Sequence, residues 1–217
     1  MTDKNKGIVT IISFLFLSSI ILEFLYIGGI KDANVASLIA NVITVIFLVS
    51  LYLKDIKNNL KNLKKNYKRH FVTGLKYWLI GLSVMMISTL IINTLNNGIA
   101  NNEEAIRDMI KTIPIYTLIS TVIIAPIMEE FTFRKAIKPF FKDEVKYSIF
   151  CGIIFGMVHV IFSVETFIDY LYIVPYGIMG SMFALSYTKT KNIFTPIFFH
   201  MIHNFIFTGI QVIINFL

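Results

Sequence analysis

A single cysteine, Cys151, excludes an internal disulfide framework and any zinc site built from several thiolates. It lies inside an apolar run, where the expected role is that of a small buried side chain. Charge is also scarce: Asp, Glu, Lys and Arg make up 15% of the 217 residues, against 56% apolar residues. With a mean hydropathy of +0.72, the chain carries more apolar surface than a soluble core can bury, which excludes a water-soluble globular domain. Acids are the scarcer sign, 13 against 20 Lys and Arg. A net charge of +7 would suit nucleic acid, but the basic residues gather between apolar runs. Membrane topology explains that distribution, so the lipid bilayer is the expected partner and nucleic acid is not.

The apolar runs are long. They cover Ile8–Ile30, Ala33–Leu53, Tyr77–Leu95, Ile113–Phe133, Tyr147–Val164 and Tyr170–Tyr187, and a last run starts at Thr195-Pro196 and reaches Leu217. At about 1.5 Å per residue each can cross a hydrocarbon core about 30 Å thick. The first exceeds the apolar region of a signal peptide and is followed by no small-x-small cleavage site, so it is read as a span. Lipid accepts only helical bundles and closed barrels, and uninterrupted apolar runs of this length exclude the barrel. The expected fold is therefore all-α: a polytopic transmembrane helical bundle of about seven spans, forming one membrane domain over 1–217 in the cell membrane. The links Lys54–Lys76, Arg134–Lys146 and Lys189–Lys191 are basic, which predicts that they are cytoplasmic, with the N-terminus inside and the C-terminus outside. The first of these also reads as an interfacial helix with Leu60, Leu63 and Tyr67 on one side, and His70 within it is expected to be solvated. Asn96–Lys111 reads as a polar outside loop whose Glu103-Glu104 pair is solvated.

Against this background Ala125-Pro126-Ile127-Met128-Glu129-Glu130-Phe131-Thr132-Phe133-Arg134 stands out. An ionisable side chain at membrane depth costs about 2.5–3.5 kcal/mol on insertion scales, so two adjacent carboxylates and an arginine there point to a site with partners elsewhere. On a helix, Glu130 and Arg134 are four apart with the acid first, the favourable order for an ion pair. Glu129 is turned about 100° away and is left free for the bundle interior. Pro126 is expected to kink the helix just before it. The basic flank places the site nearer the cytoplasmic side. Thr195 followed by Pro196 reads as the cap and first position of the last span.

Three of the four histidines also fall within spans. His159 follows Phe155 by four residues, and His200 and Asn204 share one helical face, with His203 as an extra neighbour. Glu129, His159, His200 and Asn204 can hydrolyse in two ways. Glu129, His159 and His200 can hold a divalent metal such as zinc with a position open for water. Alternatively, Glu129 with His159 activates water directly, while His200 and Asn204 donate to the oxyanion. The residues leave both open. They are also compatible with a proton-coupled transporter using the same groups as a relay, and with a non-catalytic membrane adaptor or immunity protein.

Glu129-Glu130-x-x-x-Arg134, Phe155-x-x-x-His159 and His200-x-x-x-Asn204, in that order, resemble the CPBP intramembrane proteases, also called the CAAX-protease and bacteriocin-processing or Abi family. The stretch from Gly177 through Gly180, Tyr187, Thr188, Asn192, Ile193 and Pro196 is similar as well. The resemblance covers about Ile113–Phe207; it divides the chain into variable N-terminal spans, 1–112, and a catalytic core bundle, 113–217. It implies an endopeptidase acting on a membrane-associated peptide or protein, with Glu129, His159, His200 and Asn204 central and Glu130 and Arg134 supporting. It also implies either a metalloprotease or a metal-independent glutamate mechanism. Richness in Lys, Asn and Ile suggests a low-GC bacterium, in which peptide maturation, signalling or immunity is a more natural setting than prenylated tails.

Overall fold

The computed structural model describes residues 1–96 and 98–216. Asn97, within the expected outside loop, and Leu217, the expected end of the last span, lie outside the described residues. Among the described residues there is no strand, and seven helical stretches are long and apolar enough to cross a membrane. They form the expected helical bundle.

The first two spans are α1 (Asp3–Ile27) and α2 (Ala33–Leu51). Gly29 makes the turn between them at φ 99, a conformation that side chains with a Cβ avoid, and the Asp32 carboxylate accepts from the Asn34 and Val35 amides to start α2. Hydroxyl pairs knit the two spans, Thr10 to the Tyr52 hydroxyl at 3.0 Å and Ser18 to Thr44 at 2.9 Å. Such small polar contacts supply association where lipid offers no hydrophobic drive.

The basic segment after α2 is helical, as its reading as an interfacial helix expects, but it is not separate from the third span. It forms the first half of a single 44-residue helix, α3 (Leu53–Asn96), bent at Asn66, where the backbone leaves helical geometry (φ −125, ψ 27). His70 is not solvated but buried, 3% exposed, with Nε2 2.6 Å from Asn62 Oδ1 and Nδ1 3.4 Å from the Thr195 hydroxyl. Asn59 accepts from Asn192 Nδ2 and from the Ile193 amide, both at 2.8 Å. The polar half of α3 is thus clamped onto the turn before the last span, a long-range contact that local composition does not encode.

The expected polar loop is also partly helical: α4 (Asn101–Thr112) has an Arg107–Glu103 pair at 3.0 Å on its surface. Glu104 is exposed, whereas Glu103 is only half-exposed. The fourth span continues past its expected end to Phe140 and is not a uniform α-helix. It runs as α5 (Pro114–Ile119), a π turn over Ser120–Ile124, α6 (Ala125–Glu130), a second π turn over Phe131–Ala136 and a 3₁₀ turn over Lys138–Phe140. The first π turn sits just ahead of Pro126, whose missing N–H already breaks the α pattern.

Next come α7 (Glu144–Val160), α8 (Ile173–Thr190) and α9 (Phe194–Phe216). Helices α7 and α8 approach closely through small residues. A Cβ at Gly156 would stand 2.5 Å from the Ile173 carbonyl oxygen, and one at Gly152 would collide with Ser181 and the Gly177 carbonyl. Thr195 does not cap α9; that role falls to Asn192, whose side-chain oxygen accepts from the Phe194 amide at 3.1 Å. Helix α9 lies centrally, touching α3, α4, α6 and α8.

Candidate active site

The two π turns decide how the fourth span presents its charges. A wider turn leaves carbonyls without their usual partner four residues on, and groups from other helices take them up. The Tyr147 hydroxyl donates to the Arg134 carbonyl and the Cys151 thiol to the Phe133 carbonyl, both at 2.9 Å. Cys151 is buried as expected, but it also serves as a weak donor. In the first π turn Asn204 Nδ2 donates to the Thr121 carbonyl at 2.7 Å.

Glu130 and Arg134 are paired as their spacing predicts, with Oε1 3.1 Å from Nη1 and both side chains fully buried. They are therefore not charges marking a helix end among lipid headgroups. The contact is an ion pair without hydrogen-bond alignment, since Nη1 has no aligned acceptor. Arg134 Nη2 donates to the Gly180 carbonyl at 3.1 Å, and its guanidinium lies over the Phe155 ring at 4.5 Å and the Phe183 ring at 5.6 Å. Two aromatic faces and a carbonyl thus compensate a charge that Glu130 alone would balance poorly in a dry interior.

The sequence did not reveal Glu130's second partner. Glu130 Oε1 also lies 2.9 Å from His200 Nδ1. A carboxylate can only accept here, so Nδ1 carries the proton and Nε2 is turned the other way. There it meets Glu129, whose Oε2 is 3.8 Å away, buried and without a hydrogen-bond partner. The adjacent glutamates therefore grip His200 from both nitrogens: Glu130 directly and Glu129 across a gap. Phe183 stacks on the His200 ring, with centroids 4.9 Å apart and planes 25° apart.

His159 is oriented by similar logic. Its Nδ1 lies 2.8 Å from the Phe155 carbonyl, which makes that nitrogen the donor and leaves Nε2 unprotonated in the neutral ring. Tyr176 stacks on it at 4.9 Å and 22°, and Phe155 closes the other side at 4.3 Å. Phe155 thus touches Arg134, His159 and His200 at once.

Glu129, His159, His200 and Asn204 line one cavity of about 230 Å³, together with His203. Glu130 and Arg134 stand behind it. His203 is buried, its ring beside Phe207 and its Nδ1 unpartnered. A larger cavity of about 870 Å³ on the other flank of α6 and α9 is walled almost wholly by apolar side chains such as Ile127, Phe131, Ile197 and Met201. The polar chemistry lies in the smaller one. Among the described residues no three His, Cys, Asp or Glu side chains converge as a metal ion requires. In this arrangement Glu129, His159 and His200 do not form such a group, although the Nδ1 contact with Glu130 leaves Nε2 as the nitrogen that His200 would offer a ligand.

Residues 111–206 match the family model for type II CAAX prenyl endopeptidase Rce1-like proteins. The chain is 32% identical over 108 residues to the candidate membrane peptidase YdiL of Bacillus subtilis (strain 168), a match covering 48% of this chain and 41% of that protein. It is 26% identical, over an alignment of 222 residues, to the membrane-embedded CAAX protease MroQ of Staphylococcus aureus (strain USA300), covering 94% of this chain and 88% of that one. No solved structure matches the chain.

Proposed function

We propose that the chain is a membrane protease of the Rce1-like CAAX endopeptidase type that its residues 111–206 match, and that it hydrolyses a peptide bond of a membrane-associated peptide or protein, with water activated by Glu129. The observation that carries this reading is the unpartnered Glu129 Oε2 facing His200 Nε2 across 3.8 Å inside a polar cavity. Two groups that far apart are linked naturally by one water.

In the proposed reaction, water donates one hydrogen bond to Glu129 Oε2 and another to His159 Nε2. Glu129 takes the proton as the water oxygen attacks the scissile carbonyl carbon. The resulting oxyanion accepts from the second Nδ2 hydrogen of Asn204, and His200, its Nδ1–H given to Glu130, keeps Nε2 turned to the cavity. Glu129 then passes its proton to the departing amine as the C–N bond breaks. Glu130 and Arg134 hold His200 in place and do not touch the substrate. No step runs through a metal ion.

Support comes from two sides: the matches to the Rce1-like family and to two proteins named for peptidase activity, and a cavity chemistry suited to general-base hydrolysis. The test is cleavage of a fluorogenic, membrane-partitioning peptide by purified protein in detergent. Glu129→Gln is expected to lower kcat about 10²–10⁴-fold with the fold retained, the usual range for a positioned general base. Chelation is expected to leave wild-type activity intact. Equal cleavage by wild type and Glu129→Gln refutes the assignment, and loss on chelation with recovery on zinc addition refutes the metal-free route.

A further inference from the structure

The lining of the cavity extends toward one side of the bundle, and the charges identify that side. One face gathers the ends of α2, the fourth span and α8 and the starts of α3 and α7. Lys135 pairs with Asp55 at 2.9 Å and Lys189 with Glu144 at 2.6 Å, which ties those ends together. The opposite face gathers the end of α3, α4, the end of α7 and the start of α8. There Tyr172 donates to Asn93 at 2.7 Å, Asn101 to the Ser163 carbonyl at 2.6 Å and Asn96 to Asp169 at 3.0 Å. Of the chain's 20 Lys and Arg residues, Lys31, Arg107 and Lys111 belong to this second face, Arg134 is buried, and all the others crowd the first.

The helices that line the cavity, α3, α4, α7, α8, α9 and the fourth span, do so from the second face inward. Helix α9 contributes His200, Asn204 and Gln211 but nothing before His200, and the fourth span contributes Thr121, Ala125 and Glu129 but nothing after. The outermost lining groups are Asn102, Glu103 and Ile106 of α4, with Gln211, which at about 1.5 Å per residue stands about 17 Å beyond His200. The Glu-Glu-x-x-x-Arg motif is near the basic face in sequence, yet its cavity faces away from it.

A bias of this size in Lys and Arg places the first face in the cytoplasm. We propose that the catalytic cavity opens to the extracytoplasmic side, and that the substrate is a peptide segment presented from there: the outer end of a membrane anchor or a translocated peptide. The substrate side rests on the hydrolytic reading above; the direction of the mouth does not. The basic flank of the motif suggests a site nearer the cytoplasmic side; the proposal turns its mouth the other way, and it disfavours a modified C-terminal tail on a cytoplasmic protein.

Thiol labelling on intact protoplasts tests the direction without requiring activity. Cys151 is fully buried, so the wild-type chain is the unlabelled control. Glu104→Cys reports the α4 face, Gln211→Cys the mouth and Lys57→Cys the basic face. A membrane-impermeant maleimide is expected to modify Glu104→Cys and Gln211→Cys from outside, and Lys57→Cys only after permeabilisation. The reverse pattern, or Gln211→Cys reached only after permeabilisation, overturns the proposal. Two single-span reporters with one cleavable linker outside or inside test the substrate side: cutting of the outer linker is expected, and cutting of the inner one alone overturns it. If neither is cut while Gln211→Cys labels from outside, the hydrolytic reading fails and the direction stands.

Discussion

Replacing Arg134 by methionine removes the charge that balances Glu130 and the donor that holds the Gly180 carbonyl, at a site with no exposure on either side chain. Breaking a buried pair by removing one partner typically costs about 3–5 kcal/mol, because the remaining charge is stranded. At about 1.4 kcal/mol per tenfold, that is between two and four orders of magnitude in the folding equilibrium. Glu130→Gln combined with Arg134→Met removes both charges, and is expected to regain most of the loss, with a coupling of about 2 kcal/mol or more. Stability is read by SDS titration followed through Trp78, the single tryptophan, which sits 6.1 Å from the Phe199 ring. Peptide cleavage should behave differently. The double variant gives His200 Nδ1 a neutral amide oxygen in place of a carboxylate, so kcat is expected to stay about 10²–10⁴-fold low, as when a carboxylate that sets a histidine tautomer is lost. A cost below about 1 kcal/mol for Arg134→Met, or a double variant as unstable as the sum of the singles, would refute the claim that the pair is a buried electrostatic unit.

Three further outcomes follow from the packing. Gly152→Val places a branched side chain against the Gly177 carbonyl and Ser181, so folded yield on size-exclusion chromatography should collapse, whereas Gly209→Val, where a Cβ meets nothing, should behave as wild type. His70→Ala frees Asn62 and Thr195 and is expected to cost about 1–3 kcal/mol in the same SDS titration, with faster proteolysis near Asn66. Asn204→Ala withdraws a proposed oxyanion donor and the cap on the Thr121 carbonyl, and should lower kcat about 10²–10³-fold with KM little changed.

Much was legible in the chain itself. Lipid demands continuous backbone hydrogen bonding, so seven apolar runs translate directly into seven helical spans. An arginine four residues after a glutamate in such a run has few options besides pairing with it. Other features were hidden because their causes are distant in sequence. The segment 54–76 read as a basic link or interfacial helix with His70 in solvent, yet Asn59 and His70 bind the turn before α9 and the start of α9 and dock the segment onto the bundle. The π turns were not foreseen, since the carbonyls they expose are satisfied by Tyr147, Cys151 and Asn204 from other helices.

The division is clearest at Glu129 and Glu130. Sequence alone established that two carboxylates, two histidines and an asparagine lie at membrane depth, because the cost of placing charge in hydrocarbon makes such residues conspicuous. Which glutamate faces which nitrogen of His200, and which of the two lines the cavity, depended on how α6, α7 and α9 rotate against one another. That rotation is set by close packing at glycines and by buried hydrogen bonds between residues tens of positions apart, and a linear pattern of apolar and polar residues carries no record of it.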